Sequence, residues 1–233
     1  MMVNVIKKRK IVVFTGAGIS AESGLSTFRD SDGLWENYSV HEIATKDAFE
    51  HNPELVLSFY NQRKIAAAKA LPNKAHIALA ELETVYDVII ITQNVDDLHE
   101  KAGSSKVIHL HGQLNRAQSS IDSTIIYGWD KPIYIGQHCE LNSQLRPNVV
   151  WFGEPVMQLE EARNYINSAD KVLAIGSSLT VQPAAGLLKK APYKAEKKLV
   201  SLDIKGRVPF GYKFIRGKAS SIVPVICKNW QAL

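Results

Sequence analysis

Short apolar runs and longer helical patterns alternate along the chain. Each apolar run is rich in Val and Ile and stops at a glycine or a polar turn, which is typical of a strand buried inside a parallel sheet. These runs predict strands over residues 10–15, 86–92, 106–110, 148–152, 171–175 and 198–204. The segments between them predict helices over residues 53–71, 74–84, 159–169 and 184–191. This alternation predicts an α/β fold, in which helices cover both faces of a parallel sheet.

Two stretches interrupt the alternation. Residues 26–82 show a loop and helical patterns but no strand, and residues 113–147 show two short β-like runs, 124–129 and 132–136, among turn residues. We therefore predict one domain in two parts. A main part comprises residues 1–25, 83–112 and 148–233, and a small inserted module comprises residues 26–82 and 113–147.

Composition is that of an ordinary globular protein. Of 233 residues, 45% are apolar and 22% are charged, and 28 basic against 23 acidic residues give a formal charge of +5. This excess is too small to indicate a nucleic-acid surface. No apolar run approaches the roughly 20 residues that cross a bilayer, and the basic N-terminus lacks the apolar segment of a secretory signal. Cys139 and Cys227 form no C-x-x-C pair. We expect a cytoplasmic monomer with no membrane partner and no specific nucleic-acid partner.

The first loop carries a candidate phosphate site. Gly16-x-Gly18-x-x-Ala21 follows a predicted strand and is predicted to open a helix. Glycines there let the backbone approach a pyrophosphate, and a helix N-terminus adds N–H donors. A tight turn without a ligand is the alternative.

The segment after this loop argues against hydride transfer. A dehydrogenase would place a ribose-binding acid at the end of a second strand about 20 residues later, but residues 27–35 form a polar loop. In this loop Arg29 is suited to pair with a phosphate, and Phe28 is suited to shield a nicotinamide ring from water. Core packing is the simpler explanation for Trp35.

Polar side chains follow two further strands. Asn94 and Asp96 come directly after residues 86–92, at the carboxyl edge where open α/β sheets bind ligands; helix capping is the alternative. His111 comes just after residues 106–110. Its imidazole is suited to act as a base, because an ordinary pKa near 6.5 leaves it neutral at cellular pH. A packed or surface histidine without a catalytic role is the alternative.

Seven segments combine into a family pattern. They are residues 16–24 (GAGISAESG), 27–29 (TFR), 33–35 (GLW), 92–98 (TQNVDDL), 109–112 (HLHG), 147–154 (PNVVWFGE) and 176–178 (GSS). In order and spacing the chain resembles the sirtuins, which are NAD-dependent protein lysine deacylases, over residues 10 to about 220. The resemblance implies a Rossmann-like parallel sheet with helices on both faces and a smaller inserted module.

The resemblance also implies the roles of individual residues. His111 is the catalytic base, Asp96 binds the nicotinamide carboxamide, and Asn94 belongs to the segment that holds the ribose and an ordered water. Cofactor contacts are implied for Gly16, Ala17, Gly18, Ser20, Glu22, Phe28, Arg29, Trp35, Gln93, Asn94, Val95, Asp96, His111, Gly176, Ser177, Ser178, Ser201, Leu202, Asp203 and Ala219. Ser201 departs from the asparagine that is commoner at its position.

The implied reaction begins when the carbonyl oxygen of an acyl-lysine attacks C1′ of the nicotinamide ribose and expels nicotinamide. His111 then takes a proton from the ribose hydroxyls, so that a 2′ oxygen captures the imidate carbon. Water releases free lysine and O-acyl-ADP-ribose. His109, two residues earlier on a strand, should point to the opposite face and is expected to be structural.

Two substrate contacts are implied as well. The substrate peptide pairs as an added strand with Val149, Val150, Trp151, Phe152 and Gly153; an ordinary core strand is the alternative, and both can hold. Tyr60 and Arg63 share one helix face. A surface stack explains their spacing alone, but a Tyr-x-x-Arg pair here resembles the sirtuin subgroup that removes succinyl and malonyl groups as well as acetyl groups. An arginine fork with a tyrosine hydroxyl suits a carboxylate on the acyl chain.

One sirtuin feature is missing. Most sirtuins hold a structural zinc with two Cys-x-x-Cys pairs, but Ser119 stands at the first such position and Cys139 is the sole cysteine of the region. The adjacent His138 does not complete a ligand set. We predict that no zinc binds and that apolar packing holds the small module, through Ile125, Ile126, Trp129, Ile133, Tyr134 and Ile135.

Two alternatives use the same cofactor pocket: an NAD-binding sensor without turnover, and an ADP-ribosyltransferase. The sensor is motivated by the missing zinc ligands.

Overall fold

In the computed structural model the protein is described for residues 8–27, for the main chain of residues 34–35, and for residues 38–232. Its strands are β1 (Lys10–Thr15), β2 (Leu34–Trp35), β3 (Tyr38–Ser39), β4 (Asp87–Thr92), β5 (Val107–His109), β6 (Gly112–Ser119), β7 (Ile126–Gly128), β8 (Leu145–Val149), β9 (Lys171–Ile175), β10 (Glu196–Ser201) and β11 (Lys213–Arg216). Its α-helices are α1 (Val40–Ile43), α2 (Lys46–His51), α3 (Pro53–Lys69), α4 (Lys74–Glu81), α5 (Leu98–Lys101), α6 (Leu159–Asn167) and α7 (Ala219–Gln231). Short 3-10 helices span Ala17–Ile19, Ala21–Ser23, Leu82–Thr84 and Ala184–Lys190.

Six parallel strands form the main sheet, in the order β11-β10-β9-β1-β4-β5. The inner strand β1 pairs with β4 on one side and with β9 on the other. Ile11 and Val13 pack in the cluster that contains residues of α4 and α7, whereas Val12 and Phe14 pack in the cluster that contains residues of α6. Burial on both faces explains why this strand is a continuous apolar run. The predicted α/β fold with a covered parallel sheet is confirmed.

The strand predicted over residues 148–152 does not belong to the main sheet. Its first residues end β8, which pairs antiparallel with β6 in a separate sheet of order β7-β6-β8. An apolar run looks alike in either kind of sheet, so its pattern could not decide between them. The sequence pattern also gives no sign of β11 and α7, because β11 is a largely exposed edge strand and Pro224 interrupts the helical pattern of α7.

The two inserted stretches also differ from expectation. Residues 26–82 contain a short antiparallel hairpin of β2 and β3, where no strand was expected. Within residues 113–147, β7 covers only part of the run 124–129, and the run 132–136 forms no strand. The longest strand of this sheet, β6, is polar in sequence although most of its residues are buried. Polar strands of this kind carry no apolar alternation from which to predict them.

The antiparallel sheet packs against α3. Among the six apolar residues expected to hold it, Ile133 is buried and Ile125 and Trp129 are partly buried. The other three are exposed: Ile126 by 40%, Tyr134 by 61% and Ile135 by 51%. The shared core is formed instead by larger elements, with Leu57, Phe59, Tyr60, Leu114, Leu145 and Trp151 among its members.

Within the described residues, no helix combines the length and the apolar character needed to cross a bilayer. The strands of the main sheet are parallel, so the carboxyl ends of β1, β4, β5, β9 and β10 meet along one edge.

Candidate active site

Two glycine loops cross at this edge of the main sheet. Directly after β1, the N–H of Gly16 donates to Ile175 O at 3.0 Å, and the N–H of Gly18 donates to Gly176 O at 2.9 Å. A Cβ on Gly18 would lie 2.7 Å from Gly176 Cα, and a Cβ on Gly176, whose φ is +62°, would lie 2.4 Å from Ile19 N. Both positions need glycine, because backbone meets backbone closer than a side chain allows.

The first glycine loop does not open an α-helix, contrary to expectation. It continues into two turns of 3-10 helix, Ala17–Ile19 and Ala21–Ser23. Ser20 N bonds to Ala17 O at 3.1 Å, and Gly24 N bonds to Ala21 O at 3.0 Å. Turns of three residues carry little macrodipole, so this loop offers a phosphate a weaker dipole than the N-terminus of a long α-helix would.

A cavity of about 570 Å³ opens beside the loops. Phe28 and Arg29 lie outside the described residues, and of Trp35 only the main chain is described, in β2. All the other residues assigned to a cofactor or substrate line the cavity: Gly16, Ala17, Gly18, Ser20, Glu22, Tyr60, Arg63, Gln93, Asn94, Val95, Asp96, His111, Val149, Val150, Trp151, Phe152, Gly153, Gly176, Ser177, Ser178, Ser201, Leu202, Asp203 and Ala219.

His111 presents one ring nitrogen as a base. Its Nδ1 lies 3.1 Å from Gln93 O. A carbonyl oxygen can only accept, so Nδ1 carries the proton and Nε2 of the neutral ring holds the basic lone pair. Burial lowers the pKa of His111 from its ordinary value and outweighs the raising effect of the bond to Gln93. The imidazole is therefore neutral at cellular pH.

Asn94 and Asp96 are anchored at the end of β4. The main-chain N–H of Asn94 donates to Thr92 Oγ1 at 3.0 Å, and its Nδ2 donates to Ser20 Oγ at 3.1 Å. Asp96 Oδ1 accepts from Leu98 N, the first N–H of α5, at 3.2 Å, but the N-cap of this helix is Asp97, so Asp96 is not its capping residue. Burial raises the pKa of Asp96, and hydrogen bonds from Leu98 and Ser20 offset this only in part. Asp96 thus bonds to the start of α5 and also lines the cavity.

His109 fixes the same segment from another side. Its Nδ1 lies 3.1 Å from Asn94 O, and its Nε2 lies 2.7 Å from Glu100 Oε1. Asn94 is thus held through both its N–H and its carbonyl. These are the contacts of a structural residue.

The far end of the cavity is formed by the loops after β9 and β10 and by the start of α7. Gln93 Nε2 donates to Ser177 Oγ at 3.1 Å and so connects this end to the β4 loop. Glu22 accepts from Ser220 N at 3.1 Å and also from the Ser220 hydroxyl. A carboxylate at the first turn of α7 is favoured by the helix dipole. Glu22 therefore ties the first glycine loop to α7.

Tyr60 and Arg63 lie on the inner side of α3. Tyr60 is 2% exposed, so the surface stack considered above is wrong. Its hydroxyl accepts a hydrogen bond from Trp151 Nε1 at 3.1 Å. Arg63 donates from Nη1 to Ser26 Oγ at 3.2 Å and from Nη2 to Ser26 O at 3.3 Å.

Residues 149–153 run past His111 along the cavity. Val150 N donates to His111 O at 2.9 Å, and Phe152 N donates to Ala44 O at 2.9 Å. Trp151 N donates to Glu154 Oε2 at 2.8 Å. The Phe152 side chain is 52% exposed.

The sequence did not assign some of the cavity wall. These residues are Leu25, Ser26, Thr27, Ala44, Val156, Val181, Gln182, Pro183, Val200, Lys205 and Gly217. The residues after β9 carried a usable signal, because they follow a predicted strand whose carboxyl end faces the site. Gly217 carried none, because the strand before it, β11, gives no sign in the sequence pattern. Ala44 carried none, since it follows a short helix in an inserted stretch.

The region in which the family resemblance would place a zinc site does not fit the metal. Ser119 Oγ lies 2.8 Å from Ser143 Oγ, and Cys139 Sγ lies 3.1 Å from the same atom. The described residues contain no group of three or more His, Cys, Asp or Glu side chains placed to hold a metal ion. Two hydroxyls and one thiol are not a Cys₄ ligand set.

Comparison with known proteins gives a consistent result. Residues 16–183 match the Sir2 family. An NAD-dependent protein deacylase of Helicobacter pylori is 52% identical over 179 residues, which are 77% of this chain and 78% of the relative. An NAD-dependent protein deacylase of Leishmania major is 44% identical over 228 residues, which are 93% of each chain.

Solved structures agree over nearly the whole chain. A mutant Sir2 homologue in complex with ADP-ribose superposes with a TM-score of 0.87 at 37% identity, covering 97% of this chain and 93% of the other. A complex of Sir2 with a p53 peptide and NAD+ gives a TM-score of 0.76 at 31% identity, covering 97% and 95%.

Proposed function

The chain belongs to the Sir2 family, and from this premise we propose that it is an NAD-dependent protein lysine deacylase. It removes acyl groups from lysine side chains of proteins and gives nicotinamide, O-acyl-ADP-ribose and free lysine. The observation that carries the proposal is the cavity in which His111 presents Nε2 beside the glycine loops and residues 149–153.

NAD supplies an electrophilic ribose carbon whose bond to nicotinamide can break. Gly16, Gly18 and Gly176 line the cavity without side chains, and in the proposal the backbone of their loops lies against the pyrophosphate of NAD. In the proposal Asp96, which lines the cavity and whose pKa is raised by burial, binds the nicotinamide carboxamide. In the proposal Asn94, held by Thr92 and Ser20, positions the ribose and a water molecule.

His111 is the general base of the proposal. The Gln93 carbonyl holds its Nδ1 proton, so Nε2 is the atom that takes a proton from a ribose hydroxyl. The acyl-lysine peptide lies along residues 149–153, where main-chain contacts allow many sequences to bind. The same residues also pack as part of the core, as Trp151 does.

The proposal also concerns which acyl groups the enzyme removes. Tyr60 and Arg63 line the cavity together. Burial raises the pKa of Tyr60, so its hydroxyl stays protonated and can donate, and a guanidinium suits a carboxylate. We therefore propose that succinyl and malonyl groups are removed as well as acetyl groups.

Three further points belong to the same proposal. The small module works without zinc, because Ser119, Cys139 and Ser143 make hydrogen bonds where a metal would need thiolates. The Rossmann-like part comprises residues 1–25, 83–112 and 148–233, and the small module comprises residues 26–82 and 113–147. The protein acts as a cytoplasmic monomer without a specific nucleic-acid partner.

The decisive experiment incubates the protein with NAD and peptides that carry acetyl-lysine or succinyl-lysine, and identifies the products by mass. We expect nicotinamide and O-acyl-ADP-ribose only when an acylated peptide is present. His111→Ala should lower the rate by about a thousandfold, the usual range for a lost general base. His138→Ala, a change at an exposed histidine, is the matched control and should retain the wild-type rate.

Other products would contradict the proposal. A mass gain of ADP-ribose on a protein target indicates a transferase, and binding of NAD without turnover indicates a sensor. For the acyl preference, Arg63→Met should lower desuccinylation at least about tenfold more than deacetylation, because a charged hydrogen bond is lost. Arg163→Met, a change at a partly exposed arginine of α6, is the control. Equal losses with both peptides would refute the carboxylate contact.

A further inference from the structure

The side chain of Trp151 connects a buried ion pair to the hydroxyl of Tyr60. Trp151 is 2% exposed, and its Nε1–H donates to the Tyr60 hydroxyl at 3.1 Å. The guanidinium carbon of Arg146 lies 4.0 Å from the centroid of the Trp151 ring. The indole is therefore held both at its N–H and over its face.

Arg146 is itself fixed by Glu154. Arg146 is 3% exposed and donates from Nη2 to Glu154 Oε1 at 2.5 Å and from Nη1 to Val149 O at 3.2 Å. The other carboxylate oxygen of Glu154 accepts from the main-chain N–H of Trp151 at 2.8 Å. One ion pair thus fixes both the backbone and the ring of the tryptophan, which leaves the indole little freedom to tilt.

The hydrogen bond from Trp151 determines the direction in which the Tyr60 hydroxyl can donate its proton. A phenol has one proton to donate and two lone pairs with which to accept. The indole N–H occupies one lone pair, so the Tyr60 proton points away from the indole, because two donors cannot face each other. Burial raises the pKa of Tyr60 far above its ordinary value, and the hydroxyl remains a donor at cellular pH. Arg63, one helical turn further on, lines the same cavity.

We propose that Trp151 is a positioning residue for acyl selection: its indole N–H orients the Tyr60 hydroxyl to donate, beside Arg63, to a carboxylate at the end of the acyl chain. The inference rests on the proposed removal of succinyl and malonyl groups. An acetyl group has no carboxylate to receive this bond, so the loss of the N–H changes the ratio of the two activities. If Trp151 acted only through packing, its substitution would lower desuccinylation and deacetylation by similar factors.

The test measures kcat/KM of the full chain with NAD and one peptide that carries either succinyl-lysine or acetyl-lysine. Trp151→Phe keeps an aromatic ring but removes the donor. We expect the succinyl-to-acetyl ratio to fall about fivefold, a change typical of one hydrogen bond. In a Tyr60→Phe background the same change should leave the ratio unaltered, because the hydroxyl through which Trp151 acts is gone.

Phe49→Leu is the matched control. The ring centroids of Phe49 and Trp151 are 5.3 Å apart, so this change disturbs the packing of the indole and spares its N–H. It should lower both activities by similar factors. If Trp151→Phe does not fold, 3-benzothienylalanine at position 151 replaces the N–H with sulfur in a ring of the same shape, and the same ratio decides.

The outcomes separate this inference from the proposed function. An unchanged ratio in Trp151→Phe, or an equally large effect in the Tyr60→Phe background, overturns the inference. If Arg63→Met still lowers the ratio in that case, the acyl preference stands without it. If the wild-type protein removes acetyl but no succinyl groups, the acyl preference and this inference both fail, and NAD-dependent deacetylation remains.

Discussion

The Nδ1 atom of His111 lies 3.1 Å from the carbonyl oxygen of Gln93, which belongs to the loop that also carries Asn94 and Asp96. The loop after β4 therefore sets the tautomer of the base that follows β5. In the neutral ring the lone pair is confined to Nε2. The same loop residue also reaches Ser177 through its side chain, so three strand ends are connected through Gln93.

This arrangement predicts how activity depends on pH. Burial lowers the pKa of His111, so the ring loses its proton at a lower pH than a free imidazole and is already a base there. The acid limb of kcat/KM against pH should have its midpoint below about 6.5, the ordinary value for histidine. Unfolding by urea, measured at each pH, controls for loss of structure. A midpoint at or above the ordinary value would contradict the assignment.

The close approach of the two glycine loops predicts that alanine substitutions at three glycines lower the free energy of unfolding by different amounts. Gly176→Ala combines a positive φ with a Cβ 2.4 Å from Ile19 N, and it should lower the free energy of unfolding by at least about 2 kcal/mol. Gly24 has a φ of +86° but open space around it, so Gly24→Ala should cost only about 1 kcal/mol. Gly128, in open space without a positive φ, should tolerate alanine within about 0.5 kcal/mol. Urea unfolding measures all three, and equal costs would refute the crossing.

Glu196 predicts a loss of stability in acid. Burial raises its pKa, but hydrogen bonds from Lys171, Lys198 and Trp230 outweigh this effect and bring the pKa to about 2. A lowered pKa contributes stability above the unfolded value of about 4.3, and the contribution disappears as the pH falls toward 2. The side chain is 38% exposed, so solvent screening makes the contribution smaller than the shift alone implies.

The check is urea unfolding of the wild type and of Glu196→Gln at several pH values. The wild type should be the more stable at pH 7, and the difference should shrink as the pH is lowered below about 4. Glu160→Gln changes an exposed carboxylate of α6 and serves as the control. A difference that stayed constant down to acid pH would show that Glu196 does not titrate in this way.

The serine and cysteine cluster predicts a protein that needs no zinc. Metal analysis after treatment with a chelator should find far less than one zinc per chain, with folding and deacylation retained. Ser143→Ala removes the partner shared by Ser119 and Cys139, and it should lower the free energy of unfolding by about 1 kcal/mol. Ser221→Ala, a change at an exposed serine of α7, is the control. One tightly held zinc per chain would prove the prediction wrong.

The sequence was most informative where burial is complete. The runs that became β1, β4 and β9 are apolar throughout because helices cover both faces of the sheet, and the glycines and polar residues at their ends mark the ligand edge. The described site residues taken from the family resemblance line one cavity.

The sequence was least informative where stability depends on partners far apart in the chain. The polar strand β6 is buried by its pairing with β8 and by α3 rather than by its own apolar residues. The bond between Trp151 and Tyr60 joins positions 91 residues apart. Neither a local pattern nor a motif contains that information, because only the folded chain brings such residues together.

Residues 149–153 have a mechanical consequence. Val150 N donates to the carbonyl of His111 in the loop after β5, and two residues later Phe152 N donates to the carbonyl of Ala44 in the helical insertion. The segment is thus hydrogen-bonded to two different parts of the molecule, the main sheet and the insertion. A shift of the insertion relative to the main sheet would therefore strain or displace residues 150–152. A peptide bound along residues 149–153 would be displaced together with them. Its binding would therefore oppose that movement.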